Sequence, residues 1–478
     1  MIAAARDMRP AAWLALAGLL FVLALTFKPV IENDGIGYFS YLHTLVVDHD
    51  LDFTNEYQAV RAEHVGYYPL LIQSRTSTGM LADYFPVGAA IVSLPVYLIT
   101  LVTHPSGAPQ FGPPFSVTLT LVSLLIGLLA LVLAYRLASA IIAPRPALIG
   151  GAAAALATPF IYYLVYEPSY SHTFSACAVG AFLYVWWWRR DRRSVLGWFA
   201  LGVLGGLMGL IRYQDGPLLL IGLLDKPRRW WHLLPFLAGV LVAFAPQLPI
   251  DQVLFGSLLP ARPAGQDLQF LPGHYLDVLF SSFHGLFSWS PILLLAVAGF
   301  AFVPDRRLQV AFVYAFVLEL ALGGAAPDWF GGFAFGMRRF VSLTPFFAIG
   351  LAAVAQRIGP RISWAAVGAF VAWNLLLMTN FTYVIKTSGD PGFGQILTGQ
   401  LKAVVFLPHL VSQGAAGRAL VLWPALNARF DPIYGAAVLL GELVCVAAAA
   451  WALLKLPAPT AKVNDSRAQN SRLRSFLK

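Results

Sequence analysis

The chain has 478 residues, 58% of them hydrophobic and only 12% charged, and its mean hydropathy is +0.70. A soluble protein of this length needs more charge to cover its surface, so the composition predicts a polytopic membrane protein. The net charge of +9 does not indicate nucleic-acid binding, because the basic residues form short clusters between apolar runs, as the positive-inside rule expects. Cys177 and Cys445 lie far apart within apolar segments, which argues against a disulfide framework.

The first predicted span covers residues 11–30, with Arg6 and Arg9 before it on the cytoplasmic side. It has no small-residue cleavage site, so we expect a retained span and not a removed signal peptide. The long loop that follows, residues 31–114, has apolar residues at helical spacing in its early part, which predicts a short helix lying in the membrane interface. Carboxylates are concentrated there at six positions: Glu32, Asp34, Asp48, Asp50, Asp52 and Glu56.

Residues 84–103 are apolar enough to cross the membrane, but Pro86, Gly88 and Pro95 interrupt them. If they crossed, the arginines after the next span would lie outside, so we predict a re-entrant or interfacial element on the outer side. The later spans then alternate regularly, with the basic clusters inside. They are residues 115–142, 147–165, 172–188, 195–211, a short return at 216–224, 235–249, 286–303, 308–324, 341–355, 364–381 and 434–454.

The predicted fold class is therefore an all-α polytopic membrane protein of about twelve transmembrane helices, with interfacial helices in the long first outer loop. Residues 1–454 are expected to form one domain, whose last outer loop is 382–430. Residues 455–478 are a basic tail, expected to be cytoplasmic like the N-terminus. With this topology, most of the unusual polar groups fall at the outer face: Glu32, Asp34, Arg75, Glu167, His172, Arg212, Asp215, His284, Asp328, Arg338 and Arg339.

Several stretches at this face resemble motifs of the GT-C glycosyltransferases, polytopic enzymes that use polyprenyl-phosphate-linked sugars. That class includes aminoarabinose transferases, protein O-mannosyltransferases and oligosaccharyltransferases. The first loop and the Gly-Gly…Arg-Arg stretch carry the most specific likeness. The matching stretches are Glu32-Asn33-Asp34-Gly35-Ile36-Gly37-Tyr38, Phe85-Pro86-Val87-Gly88, residues 166–172, residues 212–215 and residues 329–340.

The resemblance implies an inverting glycosyltransferase in a bacterial inner membrane. It would move a monosaccharide from a polyprenyl-phosphate donor to a hydroxyl of a glycolipid, polysaccharide or protein at the periplasmic face. Such a transfer needs one base and several cations, because phosphate leaves readily as an anion and needs no second carboxylic acid. Asp34 is the predicted base. The alternative is that Asp34 caps a helix beginning at Gly35.

Four arginines are candidates to bind the donor phosphate: Arg75, Arg212, Arg338 and Arg339. Arg338 and Arg339 are paired at an outer boundary, against the positive-inside trend, so they need a reason. The alternative for these two is pairing with Asp328 or with a lipid headgroup, and the alternative for Arg212 is a neutralising pair with Asp215. Some members of the class carry a basic residue just before the Pro-x-x-Gly element; Asp83 stands near that point here, and Arg75 is the candidate substitute. The candidate sugar and acceptor pocket consists of Glu32, Tyr38, Glu167, His172, His284, Asp328 and Trp329.

No cofactor is required by this chemistry. A divalent metal, Mg²⁺ or Mn²⁺, would have Asp34, Glu167 and His172 as its ligands, although no tight spacing demands one. Two rival functions stay open. A transporter or flippase of lipid-linked sugars would account for intramembrane acids such as Glu319 and Glu442. A polysaccharide polymerase or ligase would be expected to place its key arginines in the last outer loop, where basic residues are scattered.

Overall fold

The computed structural model describes residues 23, 25–67, 72–104, 109–190, 193–225, 230–263, 265–332, 334–385, 389–412 and 432–456. Within these ranges the regular structure is helical, with short 3-10 and π segments and one long 3-10 helix, Tyr213–Leu224, which confirms the predicted all-α class. Most of the predicted first span, the centre of the last outer loop (413–431) and the predicted tail from residue 457 onward lie outside the described residues.

The α-helices of the described ranges are numbered in chain order. They are α1 Asp34–His43, α2 Thr54–Ala62, α3 Gly88–Thr103, α4 Phe115–Ile141, α5 Pro144–Leu156, α6 His172–Arg189, α7 Val195–Ile211, α8 Leu233–Phe244, α9 Gln247–Phe255, α10 Tyr275–Phe280, α11 Leu286–Trp289, α12 Ile292–Gly299, α13 Arg306–Ala325, α14 Thr344–Ile358, α15 Pro360–Asn380, α16 Gly392–Ala403, α17 Leu407–Ser412 and α18 Pro432–Lys455.

Five helical segments in the described ranges are long and apolar enough to cross a membrane, or six if the bent pair α8–α9 is one span. Shorter apolar helices include α3, α7 and the segment Ile292–Phe302. The expected number of about twelve crossings therefore stays a prediction, as does the re-entrant character of 84–103.

Prolines break several predicted spans, because proline lacks an N–H and clashes with the preceding helical turn. The segment 235–249 forms two helices that meet at 52° around Pro246. The segment 286–303 is divided between α11 and α12 at Pro291. The segment 147–165 ends its α-helix at Leu156 and resumes as a π turn, Tyr162–Tyr166. Hydropathy locates such segments but does not show that they are bent.

Glycines bring several helix backbones into direct contact, as is common between membrane helices. A Cβ at Gly150 of α5 would stand 2.3 Å from the carbonyl oxygen of Ala348 in α14. Gly202 of α7 and Gly239 of α8 likewise allow the backbones of these two helices to touch. Because the obstructing atoms are backbone, no side-chain movement would make room for a larger residue.

Helix α1 is enclosed by protein on every side. Residues 35–42 are all buried, whereas a helix lying in the interface would leave one face to lipid headgroups. A Cβ at Gly35 would stand 2.3 Å from the Ser169 hydroxyl oxygen, and one at Gly37 would stand 2.2 Å from the Phe85 ring. The expected helix is present, but it lies inside the protein because two glycines allow this close packing.

We expect Gly150→Ala to lower the free energy of unfolding by about 1–3 kcal/mol, because the added methyl group meets backbone atoms of α14. Gly151→Ala, one residue later, is the matched control: it meets nothing within 4 Å and should be neutral or slightly stabilising in a helix. Thermal unfolding of both variants in detergent measures the difference. Equal effects of the two substitutions would contradict the predicted α5–α14 contact.

Candidate active site

The centre of the site is an ion pair between the first loop and the segment before α14. Asp34 is the first residue of α1, and its Oδ2 accepts a hydrogen bond from Arg338 Nη1 at 2.5 Å. Asn33 precedes it with a positive φ of 50° and donates its N–H to Gly66 O. In the described part of the chain, α1 has no side-chain cap hydrogen bond. The carboxylate of Asp34 therefore faces a guanidinium and does not cap its own helix.

Arg338 is held from two sides. Gly331 and Gly332 have φ values of 78° and 70°, a conformation that favours glycine, and a Cβ on either would contact the Arg338 side chain. From the other side, the guanidinium carbon lies 5.7 Å from the centre of the Tyr170 ring, within cation–π range. The glycine-rich stretch thus brings Arg338 to Asp34 across 304 residues of sequence.

Arg339 faces a different carboxylate. Its Nη2 donates to Asp328 Oδ1 at 2.6 Å and to the Asp328 carbonyl oxygen at 3.2 Å. The alternative role predicted for Arg338 and Arg339, pairing with Asp328, is therefore found for Arg339 and not for Arg338. Gln214 joins this arginine to the rest of the site, because its side-chain nitrogen donates to the Arg339 carbonyl oxygen at 3.0 Å.

Arg212 has no carboxylate oxygen within ion-pair distance among the described residues. Its guanidinium contacts His172 Nδ1 at 3.0 Å and donates to Gln214 Oε1 at 3.1 Å. The neutralising pair with Asp215, which was the alternative role for Arg212, is absent among the described residues, where the buried Asp215 accepts a hydrogen bond from Ser175. Of the three arginines in the cluster, Arg212 is thus the most available to an anion.

Tyr38 lies one turn after Asp34 and is almost fully buried, with its ring 4.7 Å from that of Phe85. Burial and the negative charge of Asp34 raise the pKa of Tyr38 to about 12, so the phenol keeps its proton at neutral pH. The Phe85-Pro86-Val87-Gly88 element supports this wall of the site. Its Phe85 carbonyl accepts from Tyr41, and a Cβ at Gly88 would stand 2.4 Å from a backbone oxygen of α7.

Glu167 and Glu32 form an acidic side of the site, next to a lysine. Burial, and then the charge of Glu32, raises the pKa of Glu167 well above its usual range, while Lys28 opposes the shift. Lys28 forms an ion pair with Glu32, and its ammonium lies 4.8 Å from the centre of the Tyr166 ring. Since Asp34 also acts on the pKa of Glu167, this side is continuous with the central ion pair.

His284 lies against the glycine-rich stretch 329–340, which also contains Trp329. The buried His284 has a positive φ of 65° and contacts the Phe330 carbonyl oxygen through Nδ1 at 2.8 Å. Burial lowers the pKa of His284 to about 4, so the ring is neutral at physiological pH. Trp329 stacks on His274 with ring centres 5.5 Å apart.

The structure does not bring Arg75 to this cluster. Its side chain is exposed and donates to Gly79 O at 2.7 Å, within a turn of the first loop. No contact among the described residues joins it to the other three arginines. The departure from the motif near Asp83 is therefore not compensated by Arg75: the buried Asp83 instead accepts from the Phe85 N–H at 3.0 Å.

The three residues predicted to hold a metal ion do not form a ligand cluster in the described chain. Asp34 is occupied by Arg338, and His172 Nδ1 by Arg212. A divalent cation at this point would compete with two guanidinium groups, so the residues present do not fit a metal here.

Two residues of the site were absent from the sequence prediction. Lys28 sits at the outer end of the first predicted span, where a lysine runs against the positive-inside trend, and that signal was available. Gln214 lies in the matched stretch 212–215 but was not a predicted site residue, because a neutral amide gives no charge signal; the structure places it in the 3-10 helix Tyr213–Leu224. Its side-chain nitrogen also donates to Glu319 Oε2 at 2.8 Å, so this intramembrane acid has a hydrogen-bond partner at the site.

Two comparisons with known proteins bear on the family and the fold of the chain. Residues 93–250 match the profile of a family described as dolichyl-phosphate-mannose-protein mannosyltransferase. The fold is similar to that of ArnT from Cupriavidus metallidurans in the apo state, with a TM-score of 0.50 and 16% sequence identity, covering 92% of this chain and 77% of that chain. No curated protein sequence matches the chain.

These findings confirm the resemblance that the sequence motifs predicted. The chain is a multi-pass membrane protein with an ArnT-like helical fold, and residues 93–250 carry its match to a glycosyltransferase family. Its likeness to ArnT is one of fold, and the profile match covers the part of the chain from α3 to α9.

We expect His284 to make stability depend on pH. Its folded pKa of about 4 lies below the usual value of about 6.5, so the unfolded chain binds the extra proton between these values. Stability should therefore fall as pH is lowered from about 6.5 to 4, by roughly 3 kcal/mol from this residue. In His284→Asn, which keeps an N–H donor for Phe330 and tolerates positive φ, thermal unfolding should change less over that range. An unchanged pH profile would contradict this assignment.

Proposed function

We propose that the protein transfers a monosaccharide from a polyprenyl-phosphate donor to a hydroxyl acceptor, with inversion, at the periplasmic face of a bacterial inner membrane. The observation that carries the proposal is the Asp34 carboxylate in contact with Arg338, with Arg212 and Arg339 in the same cluster. One carboxylate among several guanidinium groups is the minimal set for this reaction. The family name of the matching profile, a dolichyl-phosphate-mannose-dependent transferase, supports the same donor class.

The reaction needs one base and one stabilised leaving group. Asp34 takes the proton of the acceptor hydroxyl, whose oxygen forms the new bond to the anomeric carbon. The bond from that carbon to the phosphate oxygen breaks, and its electron pair leaves with polyprenyl phosphate. Because attack and departure are on opposite sides of the sugar ring, the anomeric configuration inverts.

The ion pairs of the structure suggest how donor binding frees the base. Arg338 and Arg339 are each held by a carboxylate, and a donor phosphate offers the same planar guanidinium groups more oxygen acceptors. When Arg338 turns to the phosphate, the Asp34 carboxylate loses that hydrogen bond and can accept one from the acceptor hydroxyl. Arg212, which has no carboxylate partner in the described chain, would make the first contact with the incoming anion.

An apolar groove next to the cluster suits the lipid part of such a donor. It has a volume of about 250 Å³, and glycines of α7 with side chains of α8 line it. Tyr213, the residue after Arg212, forms one part of its wall. A phosphate held by Arg212 would therefore have an apolar path beside it for the prenyl chain. The acceptor is a glycolipid, a polysaccharide or a protein, since a hydroxyl is all that this chemistry demands.

We expect Asp34→Asn to reduce transfer of a labelled sugar from a short-chain polyprenyl-phosphate donor by about 10²–10⁴-fold, the usual contribution of a general base. Asp52→Asn is the matched control, because Asp52 is exposed in the same loop and an asparagine oxygen can accept the same hydrogen bonds from Thr54. Both variants should have wild-type size-exclusion profiles in detergent. Equal transfer by the two variants would exclude Asp34 as the base. Movement of lipid-linked sugar across liposomes without any transfer would favour a transporter.

We expect Arg212→Ala to lower kcat/KM for the donor by roughly 10–100-fold, the range for a lost charge-assisted hydrogen bond. Arg212→Lys should recover part of the lost kcat/KM, because lysine restores the positive charge but not the bidentate hydrogen bonding of a guanidinium group. Arg75→Ala should stay near wild type, since Arg75 is bound within its own turn. If Arg75→Ala lowers kcat/KM as much as Arg212→Ala does, Arg75 also binds the donor.

A further inference from the structure

A second group of potential ligands lies at the opposite end of α1 from Asp34. His43 is the last residue of α1, Asp48 ends the π turn that follows, and Glu56 lies in the first turn of α2. One ligand atom from each residue lies within 4.8 Å of the other two. The left-handed conformation of His49, with φ 59°, reverses the chain between Asp48 and α2 and so brings the three side chains together.

Glu56 is the unusual member of the group. It is completely buried, and neither carboxylate oxygen has a hydrogen-bond partner among the described residues. The neighbouring carboxylates that act on it, those of Asp48 and Asp50, are themselves negative. A buried carboxyl group without a donor is costly, so a proton or a cation must neutralise it.

The other two residues are oriented as metal ligands usually are. His43 Nδ1 lies 3.2 Å from the Tyr97 hydroxyl of α3, which leaves Nε2 directed at Asp48 Oδ2, 3.8 Å away. Asn55 donates to that same Asp48 oxygen at 2.7 Å. Hydrogen bonds to the far nitrogen of a ligating histidine and to a ligating carboxylate are the typical supports of a metal site.

We propose that His43, Asp48 and Glu56 bind one divalent transition-metal ion, Zn²⁺ by the nature of its ligands, which fastens the end of α1 to α2. One imidazole and two carboxylates suit Zn²⁺, whereas Mg²⁺ prefers oxygen ligands alone. Ligand atoms around tetrahedral Zn²⁺ are about 3.4 Å apart, so the three side chains need to contract only slightly from their present separation.

The metal would position the catalytic helix and take no part in sugar transfer. Asp34 and His43 are the first and last residues of the same ten-residue helix, roughly 14 Å apart along its axis. Through Tyr97, the site also connects to α3, the helix that follows the Phe85-Pro86-Val87-Gly88 element. An ion there would fix α1 against the two elements beside it.

The test uses the full chain in detergent, stripped with a chelator and titrated with Zn²⁺, Mn²⁺ or Mg²⁺. We expect about one Zn²⁺ per chain by elemental analysis, a rise in Tm on Zn²⁺ addition, and a smaller rise with Mg²⁺. Glu56→Gln should weaken Zn²⁺ binding at least about tenfold and abolish the Tm rise. His49→Asn, which changes the exposed histidine beside the cluster, should keep both.

The same titration can overturn the proposal. If the stripped wild type gains neither stoichiometric Zn²⁺ nor stability, and Glu56→Gln has the wild-type Tm, a proton neutralises Glu56 and the site binds no metal. If Glu56→Gln binds Zn²⁺ as tightly as wild type, Glu56 is not a ligand. Because the readouts are metal content and Tm, neither outcome depends on glycosyl transfer.

Discussion

The ion pair between Asp34 and Arg338 is the interaction on which the rest of the site depends. It joins the first loop to the segment before α14, and both side chains are only partly exposed. Removing either partner would leave an unpaired charge in a confined space, which costs more than the pair itself contributes. The surrounding backbone accordingly keeps the two groups together: Gly35 and Gly37 let α1 enter the protein, while Gly331 and Gly332 support Arg338.

The arginines of the site differ in what holds them. Arg338 and Arg339 each bind a carboxylate, while Arg212 contacts a histidine and an amide. Without a ligand, carboxylates neutralise the two guanidinium groups, and a competing anion can replace those carboxylates. Gln214 links Arg212, Glu319 and the Arg339 backbone, so a change at one arginine is transmitted to another through hydrogen bonds.

Helix α1 connects the two functional proposals. Its first residue is the proposed base, and its last is a proposed metal ligand, with Tyr38 and the glycine contacts between them. A helix of ten residues has little stability of its own and depends on its surroundings for position. Packing against Phe85 and Ser169 and a fastening at its C-terminal end would together hold the carboxylate of Asp34 in place.

The sequence alone predicted the membrane class, the helical fold, the glycosyltransferase resemblance and most of the polar residues that the structure brings together around Asp34. It did so because hydropathy, charge placement and the rare acids and arginines at one face are local patterns. Only the tertiary structure decided which charges meet. It paired Arg338 with Asp34, left Arg212 without a carboxylate in the described chain, excluded Arg75 and gave Glu319 a partner in Gln214. Those contacts join residues that are distant in sequence. They depend on helix breaks at prolines and on close helix packing at glycines, which a local sequence pattern does not reveal.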